Sequence, residues 1–384
     1  MTIQGPRAAR GMEIRSAAEL AHRVFRTGGD AHLPCPADDE VRENLRVFAD
    51  DGKVVSLVAM TYREIVLLGV RHLACCFGGV CTDPDYRGRG LATRLLGDCR
   101  EKALAGGADL VLISGRRGLY KRPGYVETGA FNVCTIRRDR MPVAGRHQYE
   151  LRPARREDMR AVLELSVAEP ARFVRTPDEF LHLLQRNRLC TAPGESRLVW
   201  PKGGDRPVAF VACQIGGAPW EHKAENAITV LEMGGSRRAI MQAMAALLAE
   251  RGLDDMTLRY ADRDVEVSQM AAGFGWPSEP TGFRGTVGII DPGRFWQACA
   301  PLFREKLGGE AFGRVRFSVD GDVRIRYGDE ELVLADMSLF TDMVFCHPRH
   351  RDRLELGLAE GSDLRQMLDR LFPLPLVNYG LNYY

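Results

Sequence analysis

The stretch "GGVCTDPDYRGRGLATRLL", residues 78–96, constrains this chain more than any other. Apolar residues lead into it and helical spacing follows Gly90. It therefore reads as a strand ending at Val80-Cys81-Thr82, a turn, and a helix starting near Gly90. Gly88 and Gly90 let the backbone take positive φ and approach a ligand closely. The helix start presents unpaired N–H groups and the positive end of the helix dipole. Such a turn cradles an anion, and Arg87 and Arg89 add full charge in a form suited to phosphate. A Walker loop is excluded, because no GK[ST] follows the second glycine. A dinucleotide fingerprint would sit after the first strand of a parallel unit, whereas the strands before this turn read as antiparallel.

The order of elements around the cradle is α+β. "MEIRSA" reads as a short strand and "SAAELAHRVFR" as an amphipathic helix. Asp51-Gly52 and then Gly69 mark turns in an antiparallel meander. The helix after Gly90 closes at Gly106-Gly107, "DLVLISG" is a buried strand, "RRGLYKR" a short helix, and "GYVETGAFNVCTIRR" a final strand pair. After "MPVAGRHQ", a linker by composition, "YELRPARREDMRAVLEL" repeats the strand-then-helix opening. "ITVLEMGGSRRAIMQAMAALLAERGLDDMTLRYAD" repeats the helix-and-strand plan, and "GFGWPSEPTG" echoes "PGYVETG". Three echoes in one order indicate a diverged internal duplication. A third block begins near Asp291, giving expected domains at 1–145, 146–290 and 291–384.

Composition narrows the functional classes. At 384 residues, 45% hydrophobic and 27% charged, the chain is of ordinary globular type. A net charge of +2 gives no global field for nucleic acid. No apolar stretch approaches membrane-spanning length and the N-terminus lacks an apolar leader core, so a cytoplasmic protein with no membrane partner is expected. The ten cysteines form no CxxC or zinc-type spacing and read as reduced thiols, with Cys75 and Cys76 facing opposite ways. His347 and His350 in "HPRH" stand beside Arg349 and Arg351. They read as a solvated turn, so no metal is expected.

The R-x-x-G-x-A pattern on a strand–turn–helix resembles the phosphate-binding motif of the GNAT acetyltransferases. The resemblance implies that the amides of Arg87, Gly88, Arg89, Gly90, Leu91 and Ala92 hold the pyrophosphate of acetyl-CoA, the co-substrate. Val80, Cys81 and Thr82 would hold its pantetheine arm, with Ser114 near the same cleft. A second match, "GLYKRPGYVETG", places the family's proton-donating tyrosine on Tyr120 and leaves Tyr125 a structural role. Two acetyltransferase-like blocks and a third α/β block resemble the Eis (enhanced intracellular survival) family. That implies a degenerate second GNAT-like domain, a C-terminal domain of the sterol carrier protein fold, a homo-hexamer, and acetylation of a small-molecule amine such as an aminoglycoside, polyamine or lysine-like compound.

The second block departs from the pattern where chemistry would sit. Gly234-Gly235-Ser236-Arg237-Arg238-Ala239 replaces the cradle, and the turn alignment puts Ala271 opposite Tyr120. This block is expected not to bind coenzyme A and to line the acceptor site. An acceptor amine of pKa about 10.4 needs a base. His72 is one candidate by sequence. The other comes from the tail "FPLPLVNYGLNYY", too apolar for a frayed end. By resemblance the Tyr384 terminal carboxylate is that base, its basicity raised by burial. Asp38, Asp39 and Glu40 either face a cationic amine or form a solvated loop. A non-catalytic acyl-CoA sensor and a lipid-binding protein remain competing classes.

Overall fold

The computed structural model describes residues 3–25, 43–141, 148–189, 192–217, 226–354, 356–359 and 361–382; Tyr384 and the acidic run 38–40 lie outside them. The first block forms β1 (Gln4–Ala8), β2 (Leu45–Asp50), β3 (Lys53–Leu67), β4 (Val70–Thr82) and β5 (Leu110–Ile113). Tight turns at Asp51-Gly52 and Leu68-Gly69 place all four residues at positive φ, the geometry that matches strand twist in two-residue hairpins. "MEIRSA" begins a helix, Glu13–Phe25, rather than a strand. The Glu13 carboxylate accepts from the Arg10 amide (2.8 Å) and from Arg7, which anchors that first turn to β1.

The first block ends with β6 (Phe131–Arg137), and the second forms β7 (Tyr149–Arg152), β8 (Ala171–Phe173), β9 (Arg188–Leu189), β10 (Ala192–Pro201), β11 (Ala209–Ile215), β12 (Ile228–Gly235), β13 (Asp255–Ala261), β14 (Ser278–Thr281) and β15 (Thr286–Ile289). The blocks exchange strands. β15 completes the first sheet in the order β1-β2-β3-β4-β5-β15, with β8 pairing β3. β6 enters the second sheet in the order β14-β6-β13-β12-β11-β10-β7, with β9 pairing β10. The expected strand pair in "GYVETGAFNVCTIRR" is therefore one strand, β6, paired with β13 and β14, preceded by a single bridge between Val126 and Val287.

The internal repeat is visible in the hydrogen bonds. The helix Leu91–Ala105 ends with Ala108 N–H donating to Ala103 O (2.9 Å), and the helix Arg237–Glu250 ends with Leu253 N–H donating to Leu248 O (2.9 Å). Both helices pack against sheets in which the flanking strands pair in parallel, β4 with β5 and β12 with β13.

The third block is a helix Pro292–Leu307, an antiparallel sheet of β16 (Val315–Asp320), β17 (Asp322–Tyr327) and β18 (Glu330–Leu334), and helices Met337–Phe345 and Asp363–Leu371. Its core is continuous with the first sheet, running from Ile65, Leu110 and Leu112 through Phe295 and Phe303 to Leu376 and Tyr379. Each such side chain fully buried contributes roughly 1.5–3 kcal/mol. Two histidines differ from expectation. His72 bonds through Nδ1 to Asp109 (2.8 Å), contacts the Cys299 sulfur through Nε2 (3.5 Å) and stacks on Phe295, so it joins the first sheet to the third block and is no base for the cleft. His347 is buried, accepts the Arg349 amide (3.1 Å) and lies 3.2 Å from Asp262, so it is not a solvated turn. No group of metal-ligating residues occurs among the described residues, and none of their helices is long and apolar enough to cross a membrane. None of the eight described cysteines is in a disulfide.

Candidate active site

The site begins with a bend. Between the pairs Ala59–Gly78 and Leu57–Cys81, β4 carries one more residue than β3, and Gly79 takes φ 61°. A bulge of this kind turns a strand away from its neighbour. β5 pairs with β4 only as far as Phe77–Ile113, so Gly78–Thr82 run on without a β5 partner. Val80, Cys81 and Thr82 lie on this free edge. Val80 packs with Leu91 and Tyr120, while Cys81 faces Val54 and Leu57 on the other side. Thr82 is held by a 2.8 Å bond between its hydroxyl and that of Ser56.

The turn after Thr82 is fastened from outside. Asp83 caps the short helical turn Pro84–Tyr86 and pairs with Arg23 (3.0 Å) and Lys53 (3.3 Å). Burial pushes its carboxyl up, but the Asp85 amide, Lys53 and Arg23 outweigh this and leave it below the usual range. Tyr86 donates to Asp50 (2.8 Å), and the Arg89 guanidinium lies over its ring at 4.9 Å. Arg87 donates from Nε to Thr82 O (3.3 Å). Asp83, Tyr86 and Gly79 were not anticipated. The paired glycines inside a strand pattern are the signal that would have found the bulge.

Gly88 (φ 77°) and Gly90 (φ 72°) bring the chain to the helix Leu91–Ala105, and a Cβ on either would meet nothing within 4 Å. Gly90 caps the helix with no side-chain bond, which leaves the first-turn amides of Leu91 and Ala92 without a capping side chain. Every sequence-derived residue of the cradle, from Arg87 to Ala92, is thus in one turn at the end of the splayed strand.

Tyr120 approaches from the opposite side on the short helix Gly118–Lys121. It is 4% exposed, and its ring rests on Gly115, where a Cβ would fall 2.6 Å from a ring carbon. Gly115 follows Ser114 at the end of β5, so Ser114 also borders the cleft. No described residue hydrogen-bonds the Tyr120 hydroxyl. Burial raises its pKa, Arg117 opposes this, and Cys81 adds to it. Burial likewise pushes the Cys81 thiol up to about 12.

The tail reaches this neighbourhood. Residues 374, 376, 377, 379, 381 and 382 are buried. The Tyr379 ring lies 4.8 Å from Phe283 and shares a core with Cys76 of β4. Asn378 donates to Leu231 O and Leu381 N–H donates to Glu232 (2.8 Å), both on β12. Arg175 closes the arrangement, donating from Nε to Asn382 (2.8 Å) and pairing with Glu232 (2.6 Å). The tail therefore runs between the two sheets.

The second block has the same framework and a different crossing. Tyr125 N–H donates to Tyr120 O and Trp276 N–H to Ala271 O, so Ala271 does stand where Tyr120 stands. At the helix Arg237–Glu250 the Ser236 hydroxyl accepts the Ala239 amide (3.3 Å). Glu169 accepts the Gly235 amide (3.1 Å) and pairs with Arg237 (2.6 Å), which also pairs with Asp264 (2.7 Å).

Comparison with known proteins agrees with this geometry. Residues 6–127 match the family profile of the acetyltransferase (GNAT) domain. No curated protein matches the chain by sequence. Among solved structures, a probable N-acyltransferase from Enterococcus faecalis V583 is similar over 100% of this chain and 98% of its own, at 14% identity and TM-score 0.65. Eis1 from Mycobacterium abscessus is similar over 100% of both chains, at 15% identity and TM-score 0.62. A GCN5-related N-acetyltransferase from Kribbella flavida is similar over 97% of this chain and 96% of its own, at 15% identity and TM-score 0.60. Residues 6–127 are thus an acetyltransferase (GNAT) domain, within a chain whose whole fold is that of these proteins.

Proposed function

We propose that the chain is an N-acyltransferase that uses acetyl-CoA to acetylate a primary amine. The observation that carries this reading is the uncapped helix start behind Gly88 and Gly90, opening on the splay of β4 from β5 with Tyr120 opposite. The amides of Arg87–Ala92 would bind the pyrophosphate, and the free edge Val80–Thr82 would bind the pantetheine amides. The donor supplies a thioester; the amine attacks its carbonyl carbon, the carbon–nitrogen bond forms and the carbon–sulfur bond breaks. Tyr120 holds a hydrogen bond on the leaving sulfur. Burial raises the phenol further above a thiol, whose pKa is about 8.5, so Tyr120 mainly steadies the developing charge, and proton transfer completes late. Transfer is direct. The Cys81 thiol, on the face of β4 away from Tyr120, stays protonated near neutral pH and makes a poor acyl carrier.

The amine must lose a proton as it attacks. We assign this to the terminal carboxylate of Tyr384, which lies outside the described residues. The buried course of the tail as far as Asn382, between the two sheets, supports delivery of the chain end to this region. A homo-hexamer, a cytoplasmic location and a sterol-carrier-like third domain belong to the same reading. The third block's helices and sheet bury their apolar side chains on one another, which favours a packing role over lipid carriage.

Calorimetric titration with acetyl-CoA, and thiol release with a panel of amines, test the reading. Micromolar binding and amine-dependent release are expected; binding without release with any amine would leave a sensor. Adding two polar residues after Tyr384 should lower kcat about 100-fold with acetyl-CoA affinity unchanged. Unchanged turnover would remove the carboxylate from the mechanism.

A further inference from the structure

The tail changes its means of attachment as it ends. Leu374, Leu376 and Val377 are held by apolar packing in the core that the third block shares with the first sheet. From Asn378 onward, polar bonds to β12 take over. Asn378 donates to Leu231 O, and Leu381 N–H donates to the Glu232 carboxylate (2.8 Å). Gly380 takes φ 46°, and a Cβ there would run into Glu232, so the chain passes that carboxylate as closely as glycine allows. β12 pairs with β13 only at Thr229 and Val230, so Leu231 and Glu232 lie just past the parallel pairing, as Gly78–Thr82 do on β4. In the second block the tail thus lies along the strand edge that corresponds to the proposed pantetheine edge of the first.

Arg175 completes this attachment. Its side chain is 2% exposed and its guanidinium lies over the Phe180 ring at 4.7 Å. One side of the fork meets both oxygens of Glu232, at 2.6 and 3.0 Å; the other meets Asn382 Oδ1 from Nε at 2.8 Å. Asn382 is itself buried. Arg175 also belongs to the first sheet by attachment. It follows β8, which pairs with β3 at Ile65–Phe173, and Val174 N–H donates to Glu64 O (2.9 Å). The fork therefore fixes Asn382 against β3 of one sheet and β12 of the other. A buried ion pair adds little stability over apolar packing of the same volume; a planar fork does add one defined geometry. Two residues follow Asn382, and two extended residues span at most about 7 Å. Whatever fixes Asn382 thus limits where the chain end can reach.

We propose that Arg175, set by Glu232, is a positioning residue that aims the terminal carboxylate of Tyr384 at the attacking amine. The inference rests on the assignment of that carboxylate as the base and adds what holds it in place. It also gives the second block, which has neither an open cradle nor a tyrosine at Ala271, a part in the reaction.

The test is a double-mutant cycle on the full chain, with acetyl-CoA as donor and spermidine, cadaverine and neomycin as acceptors. One arm is Asn382→Ala, which removes the group that the fork holds. The other lengthens the chain by Gly-Ser after Tyr384, which removes the carboxylate from its place. Asn382→Ala should lower kcat about tenfold or more in the parent, with the acetyl-CoA Kd and the amine KM within threefold, and should change kcat less than twofold in the lengthened chain. Arg175→Lys keeps a cation beside Glu232 but cannot span both partners, and should repeat that pattern. Carboxypeptidase A, which removes a C-terminal aromatic residue, should release Tyr384 about tenfold or more faster from Asn382→Ala than from the parent. Equal loss of kcat in both backgrounds would mean that the fork only stabilises the fold and overturns the proposal. So would unchanged kcat, or unchanged release of Tyr384, in both variants while lengthening still lowers kcat; the base would then stand without its clamp. Lengthening without effect instead removes the base itself, and absence of turnover with all three amines removes the amine reading; either takes the inference with it.

Discussion

Two strand-to-helix crossings in this chain start from one plan and end in opposite states. In the first, β4 stops at Thr82, eight residues from Asp83 to Gly90 form the turn, and the helix begins at Leu91 with no side-chain cap. In the second, β12 stops at Gly235, Ser236 alone makes the turn, and the helix begins at Arg237. There the Ser236 hydroxyl and the Glu169 carboxylate already hold the amides and the arginine that an external phosphate would need. The tail, bonded to Leu231 and Glu232, lies where the strands β12 and β13 part. A helix N-terminus is an anion site only while its own chain leaves it open. The difference between the crossings is thus who supplies the anion.

The largest effect should come from making the first crossing resemble the second. Gly90→Asp places a carboxylate at the helix cap, where aspartate is a favoured residue that tolerates positive φ better than most. Its charge would occupy the amides and repel pyrophosphate. We expect the helix to be retained by circular dichroism and acetyl-CoA affinity to fall about 100-fold or more. Affinity within threefold of the parent would break the comparison.

The next effect concerns the residue that differs beside each crossing, Tyr120 against Ala271. Tyr120→Phe should lower kcat about 10- to 100-fold, the low end for an acid because a thiol leaves readily, with acetyl-CoA Kd unchanged. The pH profile carries a sign. The phenol acts while protonated, and burial raises its pKa from the usual tyrosine value, so the parent enzyme should show no tyrosine-linked loss of kcat between pH 7 and 9. A fall near pH 8 that vanishes in Tyr120→Phe would contradict the burial-raised phenol.

How much of this was legible beforehand follows from how local each signal is. Gly88, Gly90 and the helical spacing after them lie within one turn, so the cradle could be read directly. The echo between "PGYVETG" and "GFGWPSEPTG" was enough to align Tyr120 with Ala271, and the matching amide bonds at Tyr125 and Trp276 bear it out. The strand exchange was not legible, because the alternation of β6 is the same whichever sheet receives it. His347 read as solvated because its neighbours are arginines, whereas its partners, Asn132 and Asp262, are distant in sequence. Arg175, Glu232 and Asn382 come from three separate stretches, and only the fold brings them together.

In the second crossing the anion is structural, so removing it should cost stability. Glu169→Gln keeps the shape and removes the charge that faces Arg237, leaving Asp264 as its remaining partner. Breaking a buried pair outright costs about 3–5 kcal/mol, and with one partner retained we expect about 2 kcal/mol, measured by urea denaturation. Acetyl-CoA stoichiometry should stay at one per chain. A second equivalent would mean that Glu169 alone had been holding a competent site closed.

The smallest effect isolates the cap from the charge. Ser236→Ala deletes one bond, from the Ala239 amide to the Ser236 hydroxyl, and leaves Glu169, Arg237 and Asp264 in place. Loss of an N-cap of this kind costs about 1 kcal/mol. The first crossing has no such bond to lose, since Gly90 offers no side chain. Gly90→Ser, which adds one, should therefore shift stability little, as the cap gained is set against the strain of a side chain at φ 72°. A loss near 1 kcal/mol in Ser236→Ala with no change in acetyl-CoA affinity keeps the two helix starts functionally separate. A change in that affinity would show the second crossing acting on the first through the tail that lies between them.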